Sequence, residues 1–592
     1  MNKPLVCYDG ESMLCQYWVQ YWQRIDTHAI EFQEHSSQKN SSRPIAFQDP
    51  DSSIVFFAAD GSQAKGADSV LAILAVICPD CFWTKLLRRV RLFAICMQAL
   101  FRFLIRHSGV AYGWARFFWG KAPVPARYDL LRWLFLRVLA LIYLAAFASM
   151  AIQIEALVGS NGILPIASKL PAIRDAFGTE AYLRFPTIFW LNASDPVLVG
   201  VCLAGMLGAI AVLFNRFTRL ALILCYVLYL SILYAGQDFT SFQWDLFLLE
   251  AGFLAIFLCG GSFIVVFLYR WLLFRFMFFG GLVKIASGDP NWRNLTALAY
   301  HYETQPLPSP IAWYAHQLPV WGHQFCVVGI FLIELVIPFC IFMPRSLRLF
   351  AAWSFLVLQG GIILTGNYNF FNLLTIAICL FLCDDRGLSR LLGSFGVRKS
   401  RLLALQPGRL ATLCSAILAL VVLISNATLA WSSNRPMAAP QPWYALMEAT
   451  LTLGIANTYG PFAVMTTQRG EIEIEASMNG RDWLPYEFVY KPGPLDKGLT
   501  WLIPHQPRLD WQMWFAALRP DHPPYWFGRL MNQLGKASPP VLALLQRVPF
   551  PGLKPRWVRA SFYQYHFTDP DERKSTRRIW KREYLGLYWL SE

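Results

Sequence analysis

Charge is scarce in this 592-residue sequence: Asp, Glu, Lys and Arg make up 15% of it, against about 25% in a soluble domain. Hydrophobic residues reach 56% and the mean hydropathy is +0.38. Together these exclude an ordinary water-soluble protein and imply a membrane one. Cysteine is absent after Cys414, so an extracytoplasmic carboxy-terminal domain holds together without disulfides. The opening residues, MNKPLVCYDGES, lack the apolar core and cleavage site of a secretory leader, so the amino terminus is expected to stay in the cytosol. No Gly-x-Ser-x-Gly elbow, P-loop or dinucleotide motif occurs, which argues against a serine hydrolase or a nucleotide enzyme.

What is present is a succession of apolar segments. About 20 apolar residues cross the hydrocarbon layer, and nine candidates meet that length or approach it. They centre on Leu136–Ala156, Val197–Phe214, Leu220–Tyr234, Asp245–Cys259, Phe263–Val283, Gly322–Met343, Leu347–Leu364, Phe370–Cys383 and Leu410–Trp431. The fourth and eighth are short enough to be re-entrant. The formal net charge of +15 points to membrane topology and anionic headgroups rather than nucleic acid. Basic residues precede the first candidate (Arg102, Arg106, Arg116, Arg127, Arg132) and recur at Arg216/Arg219, Arg345/Arg348 and Arg386–Arg409. With nine crossings every basic run falls on the cytosolic side, and residues 158–195, 287–313 and the carboxy-terminal part share the other face.

The expected architecture is therefore a polytopic α-helical membrane protein of three parts. Residues 1–127 read as a small α/β domain, 128–431 as the multi-span domain, and 432–592 as a β-rich soluble domain. In the first part, Pro4–Tyr8 is a strand, Cys15–Arg24 a helix, Ser53–Ala59 with Asp60-Gly61 a hairpin, and Ala67–Val76 a second helix. In the last, residues 462–476 and 483–490 alternate as strands do, and helices are expected near 511–518 and 526–533.

Ionisable residues within spans are costly and thus candidates for function. Asp245, Glu250 and Glu334 are of this kind, as is Lys284 at the end of FMFFGGLVK; pairing across the bundle is the plainer reading, with Lys284 reaching to the interface. His301, Glu303 and His316 supply too few donors for a metal site, and no cofactor is expected. Arg508 and Asp510 read as a structural ion pair, with Trp511 and Trp514 on one helical face. Cys78-Pro79-Asp80-Cys81 reads as a chance pair.

Two extended blocks carry a resemblance: SGDPNWRNLTALAYHYETQPLPSPIAW at Ser287–Trp313 and PHQPRLDWQMWFAAL at Pro504–Leu518. With Gly159–Pro165, Gln243–Phe253, Gly366–Asn372 and Asn457–Gly460, they resemble the lipase maturation factor family from about Leu130 to Trp589. That resemblance implies a membrane-bound folding helper for secreted lipases or related hydrolases, with no catalytic residue. Client contacts are then expected from His301, Tyr302, Glu303, Gln305, Pro306, His505, Arg508, Asp510, Trp511 and Trp514, whose aromatic members would offer surface to exposed apolar patches of a half-folded client.

Two further resemblances give alternatives. Asp9-Gly10-Glu11-Ser12-Met13-Leu14-Cys15 is similar to the DCC-type thioredoxin-like pattern, but Ser12 stands where the first cysteine belongs. A thiol relay through Cys15 would thus lack its resolving partner. Gln243–Phe253 and Gly281–Lys284 are similar to the membrane domain of the vitamin K-dependent γ-carboxylase family, which implies Lys284 as a base. The thioredoxin-like portion resembles a bacterial arrangement and implies the inner membrane. If the endoplasmic reticulum is the site instead, Asn192-Ala193-Ser194 and Asn294-Leu295-Thr296 would be glycosylation acceptors.

Overall fold

The computed structural model describes residues 3–26, 29–34, 53–77, 91–120, 126–392, 408–434 and 440–590. The chain forms two compact units, residues 1–127 with 342–350, and 128–341 with 351–592. Cys78 and Cys81 lie outside the described residues.

In the first unit, β1 (Leu5–Tyr8), β2 (Glu31–Glu34), β3 (Ile54–Phe57) and β4 (Gln63–Lys65) form one sheet in the order β2-β1-β3-β4. β1 pairs parallel with β2 and antiparallel with β3, and β3 pairs antiparallel with β4. The parallel pair needs a crossover, which the helix Met13–Ile25 supplies. Ser12 starts that helix by accepting from the Cys15 amide. Val6, Cys15, Val19, Trp22, Ile54, Phe56 and Ile73 form the core between sheet and helices. Two further helices follow, Arg91–Arg106 and Ser108–Trp119.

Among the described residues, seven helices are long and apolar enough to cross a membrane: Asp129–Ala151, Asp195–Leu213, Thr218–Thr240, Phe263–Ala286, Val320–Phe342, Arg345–Thr365 and Arg409–Trp431. The two short candidates are the helices Gln243–Leu258 and Phe371–Leu382. Both nevertheless join the same two ends of the bundle as their neighbours. At one end Gly261 accepts from Arg132, Phe381 accepts from Arg270 at 2.9 Å, and Asp385 accepts from the first amides of Asp129–Ala151 at 2.8–3.1 Å. That carboxylate satisfies donors which a helix start otherwise leaves open. At the other end, Asp245 and Asn369 meet the carboxy-terminal residues Arg508 and Gln506.

The carboxy-terminal residues build a four-stranded antiparallel sheet from β5 (Arg469–Ser477), β6 (Leu484–Pro485), β9 (Trp557–Phe567) and β10 (Trp580–Leu590), in the order β10-β9-β5-β6. β7 (Glu487–Phe488) and β8 (Leu545–Arg547) pair separately. Ile472 and Ile474 point inward from β5, as alternation requires. The helices Arg508–Ala517 and Tyr525–Gly535 pack beneath the sheet. One apolar core runs continuously from Leu131 in the bundle to Tyr588 in β10.

Candidate functional site

Where the bundle meets the carboxy-terminal part, blocks far apart in sequence converge on a set of buried arginines. Arg508 begins its helix and donates to both oxygens of Asp245, at 2.7 and 2.8 Å. Tyr229 donates to the same carboxylate, and Arg508 also donates to Phe239 O at 2.8 Å. This fork is the strong form of a charged hydrogen bond. Burial alone lowers the affinity of Arg508 for its proton, but the Asp245 carboxylate outweighs it and raises the guanidinium above its usual range.

A second pair lies one helical stretch deeper. Arg275 pairs with Glu250 and donates to Asn457 O at 2.9 Å. The other Glu250 oxygen accepts from Tyr459 at 2.7 Å and from the Asn457 amide and side chain at 3.2 Å. A third cluster lies under β5: Arg469 pairs with Glu471, Lys491 joins at 2.9 Å, and Arg469 also donates to the carbonyls of Glu303, Gln305 and Pro306. The proline-rich loop is thus held by its own backbone oxygens.

Asparagines of Gly366–Asn372 tie these elements together. Asn367 donates to Leu307 O and Thr500 O at 3.2 and 2.9 Å and accepts from the Leu502 amide at 2.9 Å. Asn369 donates to Gln506. Gly162 and Asn161 accept from Gln533 and Ser538 at 2.6 and 2.7 Å. Every block that carried the resemblance therefore enters one junction.

The side chains expected to contact a client are mostly consumed inside it. Trp511 and Trp514 do share a helical face, but it is the inner one: they are 3% and 8% exposed. Trp514 donates to Thr304 O at 2.7 Å, and Trp511 packs on Trp244 with ring centroids 4.8 Å apart. Tyr302, Glu303, Gln305, Pro306, Arg508 and Asp510 are buried as well. Arg508 and Asp510 do not pair with each other, because residues two apart on a helix point in different directions. Asp510 instead accepts the Tyr490 and Lys491 amides, both at 2.9 Å. Burial raises its pKa.

Glu303 accepts from the Phe567 amide at 2.7 Å and faces His566 at 3.0 Å and His316 at 3.7 Å. Among the described residues, no group of three or more His, Cys, Asp and Glu is arranged to hold a metal ion. His505 contacts Ser149 Oγ at 2.9 Å, and burial with the nearby Arg508 charge pushes its pKa down to about 4. His301 lies 3.3 Å from the Tyr368 hydroxyl and is pushed to about 4 by burial and the Lys284 charge. Both rings are therefore neutral at physiological pH.

Lys284 is buried and pairs across the bundle. Its Nζ donates to Glu334 at 2.7 Å and to Gly280 O at 3.0 Å, 5.3 Å above the Trp292 ring. Glu334 sits in a single π turn, Leu332–Val336, a local underwinding of the helix frequent at functional sites. A Cβ on Gly281 would come 2.9 Å from that of Glu334, so glycine permits the approach. Cys15 is 1% exposed, and burial raises its thiol pKa, the opposite of what a nucleophilic thiolate needs.

Comparison with known proteins agrees with this convergence. Residues 130–390 match the lipase maturation factor transmembrane domain and residues 455–590 the lipase maturation factor C-terminal domain. The chain is 34% identical to lipase maturation factor 2 of Homo sapiens over 78% of this chain and 83% of the relative. It is 33% identical to that of Gallus gallus over 77% and 80%. Against lipase maturation factor 1 of Bos taurus it is 35% identical over 78% and 88%. No solved structure matches. The chain, a multi-pass membrane protein, belongs to the lipase maturation factor family.

Proposed function

We propose that this protein is a membrane-bound folding factor that brings secreted lipases or related hydrolases to their active form. The observation that carries the reading is the convergence of all six resemblance blocks on one buried junction, which joins a membrane bundle to a rigid soluble face. Such a construction suits a presenting surface better than a reaction centre, because its charged groups are spent on one another. The outward-facing members of the two signature blocks, Tyr300, Ile311, Phe515 and Leu518, are exposed, as is Tyr314 directly after the first block. They supply the apolar and aromatic surface that the buried Trp511 and Trp514 do not, and the buried set positions them.

In this reading the two short helices also cross, giving nine passes, with the soluble face extracytoplasmic and the amino terminus in the cytosol. The ends that Asp129–Ala151 and Phe263–Ala286 share with the two short helices, and the basic residues Arg132, Arg219 and Arg386 toward the far end, support it. The strand order of residues 1–127, with its one parallel pair, supports a thioredoxin-like domain, and Ser12 in the place of a cysteine supports one without a working dithiol. The relatives, all from animals, favour the endoplasmic reticulum as location over the inner membrane.

The test is the activity of a co-expressed secreted lipase per mass of lipase antigen, with and without the protein. A lower ratio in its absence, reproduced by Tyr314→Ser with Phe515→Ser, is expected. An unchanged ratio across several lipases refutes the reading.

A further inference from the structure

The helices Arg91–Arg106 and Ser108–Trp119 present a face that a water-soluble domain does not tolerate. On their outer side Ile95, Phe103, Val110, Trp114 and Phe117 are 67, 60, 63, 57 and 60% exposed. Their inner side is occupied: Phe101 and Ile105 pack on the core of the first unit, and Tyr112 and Ala115 on Tyr17. The outer face is thus a second apolar surface, not a displaced core. At 16 and 12 residues neither helix reaches the roughly 20 needed to span.

Charge identifies what covers this face. From Phe82 to Arg127 the sequence contains no Asp or Glu, while Lys85, Arg88, Arg89, Arg91, Arg102, Arg106, Arg116, Lys121 and Arg127 are all basic. A second copy of the same face would be repelled. Arg106 and Arg116 are exposed on the same two helices as exposed Phe103, Trp114 and Phe117, the composition of helices that lie in a headgroup layer. Continuity points the same way. Ser346 donates to Phe117 O, fixing the pair to residues 342–350, the connection between two helices long enough to cross. That connection carries exposed Phe342, Met343 and Phe350 with Arg345 and Arg348, and likewise no acid.

We infer that the Arg91–Trp119 helix pair is a monotopic membrane-surface element, its Phe103–Val110–Trp114 face inserted among acyl chains and its arginines on anionic headgroups. It thereby holds the amino-terminal domain against the leaflet, a role separate from client maturation.

The test uses the full chain with its accessible cysteines replaced by alanine and a nitroxide on Phe103→Cys, Val110→Cys or Trp114→Cys. The protein is reconstituted in vesicles of phosphatidylcholine with phosphatidylglycerol. Oxygen partitions into lipid and a nickel chelate into water. The oxygen-to-nickel accessibility ratio at all three sites is expected to exceed that at Gln63→Cys, an exposed strand position, several-fold. It is expected to fall when phosphatidylglycerol is omitted or when Arg106→Gln and Arg116→Gln are combined. Three results overturn the inference: ratios equal to the Gln63 control, which put the face in water; labels closed to both probes with dipolar broadening, which put a second copy there; and ratios indifferent to lipid charge, which remove the anionic partner.

Discussion

Arg508 and Asp245 form a two-bond fork, at 2.7 and 2.8 Å, with side chains 2% and 1% exposed. One belongs to the soluble face and the other to the start of a bundle helix. A buried pair of this kind adds little net stability over an apolar pair, but removing one partner strands the other's charge and costs about 3–5 kcal/mol. Arg508→Ala is therefore expected to lower the thermal unfolding temperature and to open the Arg508–Ala517 region to protease. Arg508→Met combined with Asp245→Leu is expected to recover much of the loss, because no charge is left alone. Equal damage from the single and double variants would show that the fork does not act as a unit.

The neutral histidines give a pH dependence whose sign follows from their burial. His301 and His505 are held at about 4 in the fold, against about 6.5 in an unfolded chain. Between those values the unfolded chain binds more protons, so stability rises with pH across the window. The contribution is complete above about pH 6.5 and is lost as pH falls toward 4. Thermal unfolding between pH 7 and 4.5 is expected to show a falling midpoint. His505→Asn, which preserves a hydrogen bond to Ser149, is expected to flatten the slope.

What could be read without coordinates was whatever a short window encodes. Apolar runs located the bundle helices, and alternation at Ile472 and Ile474 located β5. The partners of the buried charges were hidden because Arg508 finds Asp245 across 263 positions, while Asp510, its neighbour in sequence, was the nearer and wrong candidate. Burial of Trp511 and Trp514 was hidden too: spacing shows that two side chains share a face, not whether that face looks out. The hairpin of β9 and β10 escaped because β10 is largely exposed on both sides, which erases the alternation that marks a strand.

The thiol chemistry is also decided by burial. Cys15 lies inside the helix that Ser12 caps, and burial raises its pKa. Alkylation in the folded protein is expected to be slow relative to a free thiol, and Cys15→Ser to leave the lipase activity-to-antigen ratio unchanged. Rapid modification, with loss of that ratio on substitution, would restore the relay.

Lys284 allows the sharpest separation of a folding factor from a membrane enzyme. Its Nζ is held by Glu334 Oε2 at 2.7 Å, with side chains 6% and 13% exposed. If the lysine matters as half of an ion pair, Lys284→Met leaves Glu334 stranded and lowers stability and maturation together. Adding Glu334→Gln then removes the stranded charge and is expected to restore both in part, since the pair rather than the amine is what the bundle requires. A base that abstracts a proton cannot be replaced by methionine in any background. Wild-type maturation in neither variant, but recovered unfolding temperature in the double, would therefore assign chemistry to the amine. Joint recovery of maturation and stability assigns Lys284 to the scaffold.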